Sequence, residues 1–279
     1  MVLTNPRAER VKSVAALVRR SVRSRRGRFV AEGPQAVREA VLHRPESVID
    51  LYVDHEARAL NPAVALIAAD AEAAGCPVTS VAPPVMAAMA DTPTPQGVLA
   101  VCSVPGGDPA ERLADLLSAR PRPRLLVILA AVRDPGNVGT IIRSADAAGA
   151  DGVLISTDSV DPYHPKCVRA TAGSVFHLPI LTGLPMDHLV DRLHEGGLRL
   201  LAADGSAPRS LQEVDLVTPH AWVLGNEAWG LPESVREQCD DIVSVPIYGH
   251  AESLNVATAA TLCLYGSATA QRGPHPGRR

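Results

Sequence analysis

Three short stretches of this chain carry residues suited to holding a polar, nucleotide-like ligand, and each follows an apolar run that reads as a β-strand. The first is Arg133-Asp134-Pro135-Gly136-Asn137-Val138-Gly139-Thr140-Ile141-Ile142-Arg143. Gly139 permits close backbone approach beside a helix start, whose N-terminus favours anionic groups, and Arg143 adds a cationic fork for a phosphate or ribose. A tight strand-to-helix turn with a surface arginine is the plainer reading. The second stretch is Leu224-Gly225-Asn226-Glu227-Ala228-Trp229-Gly230-Leu231-Pro232. Gly225 would let a ligand reach the backbone, and Glu227 could accept hydrogen bonds or hold an arginine. Turn chemistry, with Pro232 opening a helix, explains the same residues. The third runs from Val245-Pro246 to Ser253-Leu254-Asn255. Here Ser253 is a candidate N-cap for a helix over 253–270, and capping is by itself a sufficient role for it.

The surrounding elements must bring these loops together. Leu125–Ala131 is a continuous apolar run, as expected for a buried parallel strand. A loop over 132–137 leads into a helix from about Val138 to Ala148, then Gly149 and a strand at Gly152–Ser156, which makes a βαβ unit. Further strands are expected at Val175–Leu178, Leu198–Ala203, Ala221–Leu224 and Ile242–Val245. Helices are expected at Pro165–Thr171, Asp187–Glu195, Pro232–Cys239 and Ser253–Ala270. All three loops then lie at the C-terminal ends of strands, where open parallel sheets bind ligands.

Residues 29–104 alternate in the same way. Strands are expected at 29–32, 48–53, 78–81 and 98–104, and helices near 35–42, 62–74 and 85–90. Residues 105–124 begin Pro-Gly-Gly-Asp-Pro and end Pro-Arg-Pro-Arg around one short helix, Ala110–Ser118, and read as a linker. The expected organisation is α/β throughout, with a smaller domain over 1–104, a linker over 105–124 and a larger domain over 125–272.

Charge is unevenly spread. Net charge is −3 over 279 residues, yet residues 1–28 hold nine basic residues and one acid. A basic arm that includes Arg25, Arg26 and Arg28 suggests a polyanion partner, most simply nucleic acid, although a solvated helix face would look alike. Five cysteines with no CxxC pair argue against a disulfide framework and a local zinc site, and the nine histidines show no metal spacing. No metal is expected. The longest uncharged stretch, 253–271, holds seven polar residues, so no membrane span is expected either. The start lacks a signal-peptide pattern, which makes the cytoplasm the expected compartment. P-loop, GxSxG and HExxH motifs are absent. A dinucleotide fingerprint fails because the loop reads Gly136-x-x-Gly139, but Asp158 keeps a nicotinamide-dependent oxidoreductase in view.

Taken in order, the three loops resemble the three motifs of the SpoU family of RNA ribose 2′-O-methyltransferases, in the SPOUT superfamily. Asn137, Gly139 and Arg143 match the first motif. Gly225, Asn226, Glu227 and Gly230 match the second. Pro246, Ser253, Leu254 and Asn255 match the third. The N-terminal part is similar to the substrate-binding domain found in this family, itself like RNA-binding proteins of the large ribosomal subunit. Phe29-Val30-Ala31-Glu32-Gly33-Pro34 and Thr94-Pro95-Gln96-Gly97-Val98-Leu99-Ala100-Val101 carry that likeness.

The resemblance implies a trefoil-knotted parallel sheet with helices on both faces, S-adenosylmethionine as cofactor, RNA as partner, most simply 23S rRNA, and a homodimer. It assigns Gly225, Val245 and Leu254 to the methyl donor and Arg143 to the ribose hydroxyl. Asn137, Glu227, Ser253 and Asn255 become supporting catalytic residues, and Arg169 joins Arg25, Arg26 and Arg28 as an RNA contact. Reaction would be direct displacement at the donor methyl by the 2′-oxygen. A non-catalytic RNA-binding protein with a degenerate methyltransferase fold is the alternative from another class.

Overall fold

The computed structural model describes residues 2–273. The chain forms two compact units. One runs through Gly106 and also takes in Asp161–His177; the other holds Gly107–Val160 and the described chain from Leu178 onward.

The first unit starts with α1 (Glu9–Ala15) and α2 (Arg20–Arg26), then β1 (Arg28–Glu32), α3 (Pro34–His43), β2 (Val48–Asp54), α4 (His55–Leu60), α5 (Pro62–Ala73), β3 (Val78–Val81), α6 (Pro83–Met89) and β4 (Val98–Ser103). Its four-stranded sheet has the order β1-β4-β2-β3, antiparallel except for β2 with β3. The α4 helix, which the sequence reading lacks, is nucleated by Asp54, whose carboxylate caps Glu56 N and Ala57 N.

The second unit begins with α7 (Pro109–Ser118), then β5 (Leu125–Leu129), α8 (Pro135–Ala148) and β6 (Gly152–Ser156). The chain returns to the first unit for α9 (Pro165–Ala170). It resumes with β7 (Ile180–Leu184), α10 (Met186–Glu195), β8 (Arg199–Ala203), β9 (Arg209–Ser210), β10 (His220–Leu224), α11 (Glu233–Arg236), β11 (Asp241–Ser244) and α12 (Val256–Arg272). The seven strands are all parallel in the order β7-β6-β5-β10-β8-β11-β9.

Alternation along β10 shows how this sheet is covered. Ala221 and Val223 join a core with Leu113 of α7, Leu189 and Leu193 of α10 and Val235 of α11. His220 and Trp222 point the other way, and both meet the Ser267 hydroxyl of α12, at 2.7 and 2.9 Å. Since successive side chains of a strand face opposite sides, helices lie on both faces.

Several boundaries differ from the sequence reading. Residues 105–124 are not a free linker: α7 buries Leu113 in the second unit's core, because its apolar face fits the sheet. Residues 161–177 fall outside the 125–272 domain expected for them. Arg23, almost fully buried, binds Asp161 at 2.6 Å, and Phe29 packs its ring on Tyr163 and Phe176. The strand expected at Val175–Leu178 is a 3-10 turn over Ser174–Phe176, followed by β7. A short apolar run cannot by its pattern distinguish a buried turn from a strand. The α11 helix stops at Arg236 rather than Cys239.

Candidate active site

The α8 helix starts earlier than the sequence reading has it. Asp134 is its N-cap and accepts from Asn137 N at 2.9 Å, while Pro135 supplies the fixed φ of the first turn. Asn137, Gly139 and Arg143 therefore all sit on one helix. Gly139 is buried inside it, so its backbone is not open to a ligand. Arg143 is exposed and has no hydrogen-bond or ion-pair partner among the described residues.

The α12 helix likewise starts later. Its N-cap is Asn255, whose Oδ1 accepts from Ala257 N at 2.9 Å and Thr258 N at 3.4 Å. Ser253 is not the cap; asparagine is at least as good a cap and stands beside the first helical residue. Helices α8 and α12 are joined by a hydroxyl pair, Ser144 with Thr261, at 2.7 Å.

These two starts bring the three motifs into one network. Asn137 Nδ2 donates to Glu227 Oε1 at 2.9 Å, and Asn255 Nδ2 donates to Asn137 Oδ1 at 3.1 Å. Asn226 secures the loop after β10, its Nδ2 donating to Ala131 O at 2.8 Å and its Oδ1 accepting from Ala228 N. Ala131 holds a left-handed φ of 57° at the end of β5, a conformation that costs an L-residue ~1–2 kcal/mol. Arg133 stacks over Trp229, 5.1 Å from the ring centroid, joining the first two loops again.

Gly225 has a different reason than the expected one. A Cβ there would overlap the carbonyl of Gly230. The chain's own turn fills that space, closed by paired bonds of 2.9 Å between the backbones of Asn226 and Gly230.

Beside this network lies a cavity of about 620 Å³, lined in part by Gly225, Glu227, Val245, Ser253, Leu254 and Asn255. That size is within the ~300–1,000 Å³ of small-molecule sites. Motif reading missed two charged lining residues, Asp204 after β8 and Arg236 of α11. No motif marks them; only their place, following a central strand and above it, does. Burial alone would raise the Asp204 pKa. Hydrogen bonds from the Ser206 hydroxyl and backbone N–H, with Arg236 3.6 Å away, hold it below the ordinary carboxylate range. Arg236 Nε is buried without a hydrogen-bond partner.

Arg169 belongs to the first unit, where its Nη1 lies 2.9 Å from Asp91 and 3.7 Å from Glu32. Arg25, Arg26 and Arg28 are exposed, although Arg26 also donates to Ser13 O at 3.1 Å. Other cations of the basic arm are engaged: Arg23 with Asp161, Arg10 with Tyr52 and Asp50, and Lys12 with Glu9. No helix among the described residues is long and apolar enough to cross a membrane.

Residues 124–265 match the SpoU rRNA Methylase family, and residues 8–100 match the MRM3-like substrate binding domain. Among curated relatives, the chain is 35% identical to the 23S rRNA (guanosine(2553)-2′-O)-methyltransferase RlmP of Bacillus subtilis, over 92% of this chain and 95% of that protein. It is 34% identical to the 23S rRNA (guanosine-2′-O-)-methyltransferase RlmB of Bordetella pertussis, over 88% and 98%. A crystal structure of an AdoMet-bound rRNA methyltransferase from Sinorhizobium meliloti superposes with a TM-score of 0.81 at 29% identity, covering 96% of this chain and 97% of that one. The SpoU methyltransferase AviRb from Streptomyces viridochromogenes, in complex with AdoMet, gives 0.80 at 30%, covering 96% and 100%. With its three motifs bonded to one another beside a ligand-sized cavity, and with relatives matched over nearly the whole length, this chain belongs to the SpoU rRNA methylase family.

Proposed function

We propose that this protein transfers a methyl group from S-adenosylmethionine to a ribose 2′-hydroxyl of 23S rRNA. The observation that carries the reading is the hydrogen-bonded series Glu227–Asn137–Asn255, which ties three motifs from distant parts of the sequence beside the cavity of Gly225, Val245 and Leu254. The names of the relatives, 23S rRNA 2′-O-methyltransferases, support the substrate class.

The cavity suits the donor. Its volume is ample, its walls mix backbone with apolar side chains, and Asp204 with the under-bonded Arg236 offers complementary charges for a zwitterionic ligand. When bound, S-adenosylmethionine supplies a methyl group already activated by its sulfonium. The chain's own residues then position and shield the reacting hydroxyl. Arg143 orients it and stabilises developing charge on oxygen. Guanidinium groups do not give up a proton in proteins, so Arg143 is an orienting group and the hydroxyl proton leaves to phosphate or water. Asn137, held from both sides by Glu227 and Asn255, keeps the start of α8 in place under Arg143. Ser253 lines the donor cavity.

RNA contact extends to the exposed Arg25, Arg26 and Arg28, which would meet phosphates. Arg169 would join them once RNA competes with Asp91 for its guanidinium. The working form is a knotted homodimer in the cytoplasm.

The test is transfer of labelled methyl from S-adenosylmethionine to unmodified 23S rRNA, followed by alkaline hydrolysis, with Arg143→Ala in parallel. Alkali-resistant labelled dinucleotides from the wild type, absent with the variant, are the expected result. Absence of both transfer and donor binding in the wild type would overturn the reading and leave an RNA-binding protein.

A further inference from the structure

We propose that Glu39, His43 and His177 form a divalent-metal site in the first unit, suited to zinc(II), separate from the methyl-transfer site. Among the described residues, this is the group of three metal-ligating side chains whose donor atoms converge, all within 4.8 Å of one another. Glu39 and His43 are four residues apart on α3 and share a face. His177 follows the Ser174–Phe176 turn, 138 residues further along, so no sequence spacing could announce the site.

Two of the three donor separations are close to those of a tetrahedral ion. His177 Nε2 lies 3.1 Å and His43 Nε2 lies 3.2 Å from the same oxygen, Glu39 Oε2. Ligands placed 2.0–2.1 Å from a tetrahedral zinc sit about 3.3–3.4 Å apart. Both contacts to the carboxylate oxygen are therefore close to the spacing of ligands on one ion, and the two imidazole donors lie within 4.8 Å of each other. The two rings meet edge to face with centroids 4.4 Å apart. Glu39 and His177 are partly buried and His43 is exposed, which leaves the fourth position facing water. Arg38 lies 3.4 Å from the other oxygen, Oε1.

The carboxylate is also built into place. A Cβ on Gly173, whose φ is +102°, would overlap the Cγ of Glu39, so the backbone of the inserted segment lies directly on the glutamate stem. Two imidazole nitrogens with one carboxylate oxygen suit zinc, whereas magnesium and calcium prefer all-oxygen sets. A bound ion would fasten residues 161–177, which carry Arg169, to α3.

The experiment is a Co²⁺ titration of the full-length protein, stripped of metal with chelator, followed by the visible ligand-field band and by competition with Zn²⁺. Wild type is compared with His43→Ala, His177→Ala and, as a control away from the site, His188→Ala. Wild type and His188→Ala should take up one Co²⁺ per chain, released by Zn²⁺. Even outer-shell losses cost ~10–100-fold in metal affinity, so His43→Ala should weaken binding by at least about tenfold. His43 is exposed, and its replacement leaves the fold intact whatever His177→Ala does. Equal titration of wild type and His43→Ala, no uptake by wild type, or a sulfur-to-cobalt charge-transfer band from a cysteine would each overturn the proposal. The first two outcomes would leave a hydrogen-bonded His–Glu–His cluster.

Discussion

Arg143 stands on the third turn of α8 with its side chain in solvent, while other motif residues are bonded to one another. The contrast separates two kinds of substitution. Arg143→Ala removes no hydrogen bond or ion pair seen among the described residues, so its stability should stay within about 0.5 kcal/mol of wild type while methyl transfer falls by ~10²-fold or more. Arg143→Lys should recover only part of that loss, because a point charge replaces a planar fork. Thermal unfolding and single-turnover transfer measure the two effects. Asn137 is different: it donates to Glu227 and accepts from Asn255, so its orientation carries information. Asn137→Asp removes the donor and sets two carboxylates at hydrogen-bond distance, and it should impair transfer more than Asn137→Ala does. Adding Glu227→Gln restores a donor between the two and should recover activity that Glu227→Gln alone does not gain. If the pair proves additive, the network does not act as a unit. These residue types and their grouping were legible in the sequence. Their bonding was not, since it depends on where two helices start, and Asp134 and Asn255 decide that by capping.

At the scale of the element, the turn after β10 and the helix α12 are the parts most sensitive to small changes. Gly225→Ala drives a methyl group into the Gly230 carbonyl, and overpacking of this kind costs ~1–3 kcal/mol. Donor binding should fall with it, measured by isothermal titration. Ser267 is fully buried and serves both His220 Nε2 and Trp222 Nε1. Ser267→Ala leaves those groups without their partner and should cost ~1–3 kcal/mol in chemical denaturation. The same spot carries a pH dependence. Burial pushes the His220 pKa below its ordinary value. The unfolded chain, with a histidine pKa near ~6.5, then binds the extra proton first. Stability from this group is full above that value and declines as pH falls below it, down to the folded pKa. His164, lowered by burial and by Arg23, acts in the same window. His220→Gln should therefore flatten, without abolishing, the fall in Tm below about pH 6.5. Asp204 and Asp240, both lowered, act only at more acid pH. An unchanged slope in the variant would remove His220 as a cause.

At the scale of the whole molecule, the departure from a simple two-domain string is the segment 161–177, which leaves the parallel-sheet unit after β6 and is built into the N-terminal one. Arg23 anchors it. Its guanidinium binds Asp161 and also donates to the carbonyls of Leu17 and Val18, at 2.9 and 2.7 Å. Arg23→Ala leaves Asp161 in place without its counter-ion and should destabilise by about 3–5 kcal/mol. Arg25→Ala, at an exposed position in the same helix, should weaken RNA binding and leave unfolding unchanged. Denaturation and a salt-dependent RNA-binding assay on both variants test this division of the basic arm into structural and RNA-contacting parts. Charge asymmetry shows that the arm is basic, and only packing shows that Arg10 and Arg23 are engaged by the protein itself. Most of the strand and helix alternation and the three motifs were legible in the sequence, because these depend on local pattern and residue type, while a parallel sheet for the whole second unit was what the family resemblance implied. Tertiary structure decided the helix starts that align Asn137 with Asn255, the entry of Asp204 and Arg236 into the cavity, and the meeting of Glu39 with His177. Those depend on contacts between residues far apart in the chain, and local pattern holds no record of such distances.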